Sequence, residues 1–134
     1  VLGADGVQIG SAFAVAEESS AHPEFKRLVT ELGEGGTKLA LKKLAPVRLI
    51  KNSFFNRIDE AEKAGQSSEA MSELLGRGRA KRGMFEGDLD EGELEIGQVS
   101  AQLNQIRPVA EIMKDIITAY KAAQKATRQG RFVL

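Results

Sequence analysis

Apolar residues recur along this chain in two rhythms. Between residues 5 and 9 a short stretch carries the β-branched Val7 and Ile9 between Gly6 and Gly10, as in a buried strand of a parallel sheet. Ser11 then stands before Ala12-Phe13-Ala14-Val15-Ala16, a short helix with a hydroxyl at its N-terminus. Pro23 opens a second helix in which Phe25, Leu28, Val29 and Leu32 recur at spacings of three and four until Gly33. Leu39, Leu41, Val47 and Leu49 alternate with other residues on either side of Pro46, which gives two short extended pieces. Phe54, Ile58 and Ala61 mark one face of a helix over 53–64 that Gly65 stops, and Met71, Leu74 and Leu75 face inward from another over 67–75. The longest pattern follows Pro108. Val109, Ile112, Met113, Ile116, Ile117 and Tyr120 form a stripe on a helix running to Ala126, and that stripe must pack on something.

Length and composition narrow the setting. With 134 residues, 42% of them apolar, the chain can bury one modest core. It opens on Val1-Leu-Gly-Ala-Asp-Gly-Val-Gln-Ile-Gly10 rather than on methionine, which reads as entry in mid-domain. Nineteen basic residues balance nineteen acidic ones, so no long-range field draws in nucleic acid or an anionic membrane. The absence of cysteine removes disulfides, thiolate metal sites and a cysteine nucleophile. No apolar run reaches a membrane span and no signal peptide opens the chain, so a cytoplasmic location is expected.

The most informative candidate for chemistry is Gln8-Ile9-Gly10-Ser11. A strand that ends in a glycine turn and a helix points free backbone N–H groups outward, and such groups bind phosphate. In (β/α)8 barrels the loops after the last two strands commonly hold a phosphate in this way, and Ser11 adds a hydroxyl donor. Taken alone, a Gly-Ser turn is more often a plain connection. His22, the lone histidine, precedes Pro23 at a helix start, where satisfying free N–H groups is a commoner duty than catalysis. The acidic run 86–95 fails as a calcium loop, since an EF-hand starting at Asp88 needs glycine where Glu93 stands and glutamate where Val99 stands. Solvated loop charge, paired with the basic run 77–82, is the better account. Gly33-Glu-Gly-Gly-Thr-Lys38 fails the P-loop spacing, and Gly76, Gly78 and Lys81 break a dinucleotide fingerprint. No metal site is expected.

Leu2-Gly-Ala-Asp-Gly-Val-Gln-Ile-Gly-Ser-Ala-Phe13, Glu18-Ser-Ser-Ala-His-Pro-Glu-Phe-Lys26, Pro46-Val-Arg-Leu-Ile-Lys-Asn52 and Gly87-Asp-Leu-Asp-Glu-Gly92, with Gly97-Gln98 after them, resemble in order the C-terminal part of the nitronate monooxygenases and the FMN-dependent enoyl-[acyl carrier protein] reductases II. The resemblance runs through about residues 2–118. It implies an α/β fold: the C-terminal fragment of a (β/α)8 TIM barrel, with its last barrel strand and a mostly helical extension. Residues 1–33 would hold the last strand, the phosphate turn and the following helices. Residues 34–106 would form a capping subdomain, and 107–134 a C-terminal helix packed on the barrel.

By that resemblance Gln8, Ile9, Gly10 and Ser11 contact FMN, with Gly10 and Ser11 at the phosphate. The family often has threonine at Ser11, which keeps the hydroxyl, and arginine where Ala12 stands, which removes a polar contact. Gln98 and Ser100 lie in a segment that folds back toward the flavin's reactive face, so with His22 they are candidates for the substrate pocket. The catalytic histidine and the remaining flavin contacts lie upstream in such enzymes, so this chain alone is expected to be inactive.

NADPH or NADH would reduce FMN, with a nitronate as the small-molecule substrate. The alternative is an acyl-carrier-protein-bound enoyl substrate, and Lys51, Arg77, Arg79, Lys81 and Arg82 are candidates to dock an acidic carrier. The rest of the barrel, and a second copy in a homodimer, are the expected protein partners. A third reading is a non-enzymatic helical module whose 108–126 helix enters a partner's groove.

Overall fold

The computed structural model describes residues 4–129. Six α-helices, one 3-10 helix and a two-stranded sheet follow one another among them: α1 Ser11–Ala14, α2 Pro23–Thr30, β1 Thr37–Ala40, β2 Val47–Ile50, α3 Ser53–Lys63, α4 Ser68–Leu75, α5 Arg79–Met84, the 3-10 helix Gln98–Gln102, and α6 Val109–Arg128. No helix among the described residues is long and apolar enough to cross a membrane. Residues 1–3 of the opening motif and 130–134 of the expected C-terminal unit lie outside the described residues.

Side-chain caps fix where the helices begin. His22 Nδ1 accepts the Glu24 N–H at 3.2 Å with Pro23 in the first turn of α2, Asn52 Oδ1 accepts the Phe55 N–H at 2.8 Å ahead of α3, and Ser67 Oγ accepts the Ala70 N–H at 3.3 Å ahead of α4. Gly65, at φ +74°, ends the turn after α3 with a backbone few other residues adopt.

The strands pair antiparallel in the register Thr37↔Ile50, Lys38↔Leu49, Leu39↔Arg48 and Ala40↔Val47. Leu41 turns the chain out of β1 at φ +56°, a costly backbone for leucine, with its side chain buried. The other edge of β2 is also used: Leu49 bridges to Glu95, Ile50 N–H donates to Leu94 O at 2.9 Å, and Ile96 N–H to Arg48 O at 3.1 Å.

Two cores result. Ala40, Leu41, Leu49, Phe54, Phe55, Ile58, Ala61 and Met71 close one between the sheet, α3 and α4. The other joins Val15, Ala21, Phe25 and Val29 to Ile50, Leu94 and Ile96. It therefore draws on residues from both sides of the boundary expected near residue 33.

Three expectations change. The strand over 5–9 is not formed. Residues 4–10 are exposed and carry no sheet pairing, with Val7 at 83% exposure, because a parallel strand needs neighbours on its edges and the described chain provides none. The basic run contains a helix, α5, which the sequence pattern did not suggest. Thirdly, the α6 stripe is only partly covered. Val109, Ile112 and Ile116 are half-buried, while Met113, Ile117 and Tyr120 are exposed, Tyr120 at 65%. The first turn of α6 is fixed by Glu18, whose carboxylate accepts the Val109 N–H at 2.9 Å, and by Glu17 N–H donating to Arg107 O at 3.0 Å.

Candidate functional site

The Gly-Ser turn keeps its local form although its strand is absent. Gly10 precedes α1 and its carbonyl accepts N–H bonds from Phe13 at 3.0 Å and Ala14 at 2.9 Å. No acceptor among the described residues meets the N–H groups of Ser11 and Ala12. Among the described residues a Cβ added to Gly10 would meet nothing within 4 Å, so the space beside this backbone is open. Gly10 has φ −105°, a value any residue adopts; open approach, not backbone strain, is what glycine supplies here.

Ser11 is not a free-standing donor. Its Oγ accepts the N–H of Gly97, 86 positions away, at 3.1 Å. A Cβ added to Gly97 would lie 2.6 Å from that oxygen, so any larger residue there would have to displace the Ser11 hydroxyl. Gly10, Ser11, Ala14, Arg48, Ile96 and Gly97 are among the residues lining an open groove of about 490 Å³.

The acidic loop brings Gly97 to this place. Asp88 accepts N–H bonds from Glu91 at 2.9 Å and Asp90 at 3.2 Å and pairs with Arg82 at 2.6 Å; the Glu91 backbone bond is the main reason its carboxyl sits below its ordinary range. Arg57 grips the Glu91 carboxylate with both terminal nitrogens and is the first cause of its lowered pKa, with Arg79 further off at 3.6 Å. Asn52 donates to the carbonyls of Leu89 and Gly92, both at 2.9 Å. The run 86–95 is thus an ion-paired strap.

Gln98 and Ser100 line a separate pocket of about 520 Å³, facing the glycine-rich residues Gly33, Gly35 and Gly36. Gln98 is exposed; Ser100 is buried, and its N–H donates to Gly97 O at 3.0 Å. His22 lines neither pocket. Its backbone N–H donates to Met84 O at 2.8 Å, and its ring lies against Gly87, where a Cβ would fall 2.5 Å from ring atoms. Nδ1 accepts a hydrogen bond in capping α2, so the ring proton of the neutral imidazole is on Nε2.

Residues 1–119 match the family model for nitronate monooxygenase. The chain belongs to the nitronate monooxygenase family. A probable nitronate monooxygenase from Bacillus subtilis (strain 168) is 58% identical over 38 residues, which are 28% of this chain and 11% of that protein. Among solved structures, FabK from Thermotoga maritima superposes with a TM-score of 0.83 at 30% identity, and its M276A mutant with 0.78 at 28% identity. Each comparison covers 95% of this chain, but only 40% and 38% of the respective FabK chains. The fold is therefore that of part of a TIM-barrel protein, with two strands among the described residues.

In this member of the nitronate monooxygenase family several residues that hold the site in place escape a reading of sequence. Lys26 is buried and its ammonium donates to three carbonyls, Ala16 at 2.8 Å, Glu17 at 3.1 Å and Ser19 at 2.8 Å, which gathers the loop behind α1. Arg79 lies over the Phe54 ring at 4.6 Å and donates to Leu75 O at 2.7 Å and Glu91 O at 2.8 Å, joining α5, the strap and the first core. Arg48, in the groove with Ser11, donates to Thr37 O at 3.3 Å. Only Asn52 gives a local signal, as a capping residue before Ser53.

Proposed function

We propose that this chain contributes to the FMN site of an oxidoreductase of nitronate monooxygenase type, with Gly10 and Ser11 at the phosphate and Gln8 and Ile9 leading into that turn. Members of the family are FMN-dependent flavoproteins. The observation that carries the proposal is the meeting of Ser11 with Gly97, because it brings together the two segments that resemble the flavin side and the substrate side of such enzymes. Open space beside Gly10 and the unused N–H groups of Ser11 and Ala12 suit an anionic oxygen. When bound, FMN would supply two-electron redox chemistry: in the nitronate reading it would take electrons from the nitronate and pass them to dioxygen, and in the enoyl reading it would carry them from NADPH or NADH to the thioester double bond. Residues of this chain contribute position: the Ser11 hydroxyl donates toward phosphate, and the Gln98–Ser100 wall shapes the substrate pocket. His22, engaged in capping α2, offers Nε2–H as its remaining donor.

A nitronate, oxidised with dioxygen, is the substrate class that goes with the family model. The FabK superposition favours a second reading, reduction of an enoyl thioester on an acyl carrier protein. Charge pairing weakens the docking argument for that reading. Lys81 pairs with Glu86, Arg82 with Asp88, and Arg79 is spent on Glu91 and Phe54, so three of the five basic residues considered for carrier docking are already neutralised. Membership of an enzyme family leaves the freestanding helical module without support.

Purified holoenzyme should show flavin absorbance, consume dioxygen with a nitronate, and oxidise NADPH or NADH only slowly with an enoyl thioester. Fast, carrier-dependent enoyl reduction without nitronate turnover would select the second reading. A protein without flavin would sink both.

A further inference from the structure

We propose that Ser11 is a positioning residue: its hydroxyl couples occupancy of the phosphate turn to the placement of the segment 97–103 that carries Gln98 and Ser100. This rests on the FMN reading above and extends it from binding to communication between the groove at Gly10 and Ser11 and the separate pocket lined by Gln98 and Ser100.

A hydroxyl has one proton and two lone pairs. In Ser11 one lone pair takes the Gly97 N–H at 3.1 Å, so the proton is left for another acceptor. An anionic phosphate oxygen at the turn would take that proton in a charge-assisted bond. Donation to an anion raises the electron density on Oγ and strengthens it as an acceptor for Gly97, so the two hydrogen bonds reinforce each other. With the turn empty the hydroxyl rotates toward water, and the Gly97 bond loses that support.

Gly97 is where such a bond has leverage. Upstream, Ile96 is fixed to β2 through its N–H bond to Arg48 O at 3.1 Å. Downstream the chain enters the 3-10 helix through the Ser100 N–H bond to Gly97 O at 3.0 Å and continues with Leu103 N–H to Ser100 O at 2.9 Å. Those downstream bonds are internal. Among the described residues, Gly97 N–H to Ser11 Oγ is the hydrogen bond that ties 97–103 to another element. A Cβ on Gly97 would lie 2.6 Å from Oγ, so a substitution there would push the hydroxyl off this bond.

Hydrogen–deuterium exchange of peptide 97–103 in the holoenzyme, with FMN bound and after its removal, tests the coupling in wild type, Ser11→Ala and Ser11→Thr. FMN should slow exchange at Gly97 roughly two- to tenfold in wild type, the range one hydrogen bond commands. Ser11→Thr keeps the hydroxyl and should keep the effect. Ser11→Ala should bind FMN more weakly, having lost one donor to the phosphate, and at flavin concentrations that saturate it, as read by quenching of flavin fluorescence, it should lose the FMN-dependent slowing. Gly97→Ala breaks the same contact from the other side and should match Ser11→Ala, which covers the case in which one variant folds poorly. Equal slowing in Ser11→Ala and wild type, or no slowing in a wild type that binds FMN, would overturn the coupling and leave the FMN reading standing. Failure of wild type to bind FMN would overturn both.

Discussion

The middle of the chain and its two flanks obey different rules. From β1 to α4 the backbone closes on itself: an antiparallel hairpin, two capped helices and a core of Phe54, Ile58, Leu49 and Met71 leave few large apolar side chains in water. At the flanks, residues 4–10 have no ladder partner among the described residues and α6 leaves Met113, Ile117 and Tyr120 exposed. Strand-forming residues and an amphipathic stripe thus specify a surface, and the partner surface decides whether it is buried.

The contrast is sharpest in core substitutions. Phe54→Ala empties a fully buried site and removes the ring under the Arg79 guanidinium, so it should cost about 3–5 kcal/mol by denaturant unfolding. A loss below about 1 kcal/mol would mean that the central region is not the stable unit described here. Lys26→Met should come next, at about 2–3 kcal/mol, since three carbonyls lose a charged donor in a place with little access to water. Faster amide exchange confined to the loop 15–21 would place that loss where the structure does.

Acid should also act on the middle first. Lys38, then Lys63, hold the Asp59 carboxyl at about 2 against its ordinary 3.8. A depressed folded-state value contributes stability that is fully present above the unfolded value and is lost as pH falls through the folded one, here between pH 4 and 2 in round terms. Asp59→Asn should flatten that part of a stability–pH profile. Glu93 has the opposite sign. Burial, with repulsion from Glu95, raises its pKa, so its ionisation opposes folding as pH climbs above the ordinary value of 4.5, and Glu93→Gln should add stability near neutrality. An unchanged profile in both variants would contradict these assignments. The smallest effect belongs to the flank: Tyr120→Ser should change stability of the 134-residue chain by no more than about 0.5 kcal/mol.

Local signals were readable and long-range ones were not. His22 ahead of Pro23, Asn52 and Ser67 cap their helices by accepting N–H bonds from near neighbours, Gly65 ends the turn after α3 at positive φ, and the two extended pieces around Pro46 pair as the hairpin. Helix α5 was hidden because Gly78, Gly83 and four basic residues between 77 and 82 leave no apolar period; its placement comes from Glu93 N–H to Arg79 O at 3.0 Å and Asp88 N–H to Arg82 O at 3.1 Å. The strand expected over 5–9 had suitable residues but required hydrogen-bond partners from elsewhere. At the candidate site, resemblance drew attention to Ser11 and Gly97 separately, whereas their contact spans 86 positions and no spacing rule reaches that far.

Comparison of FMN with riboflavin, which lacks the phosphate, tests the phosphate turn most directly. Fluorescence titration of the holoenzyme after flavin removal gives the ratio of the two affinities in wild type and in Gly10→Val. Because a Cβ at Gly10 meets no atom of the described residues within 4 Å and its φ of −105° is one valine adopts, the substitution should act on what occupies the open space more than on the fold. Wild type should prefer FMN by at least about tenfold, and Gly10→Val should lose most of that preference while binding riboflavin as before. An undiminished preference for FMN in Gly10→Val would contradict the placement of the phosphate at this turn.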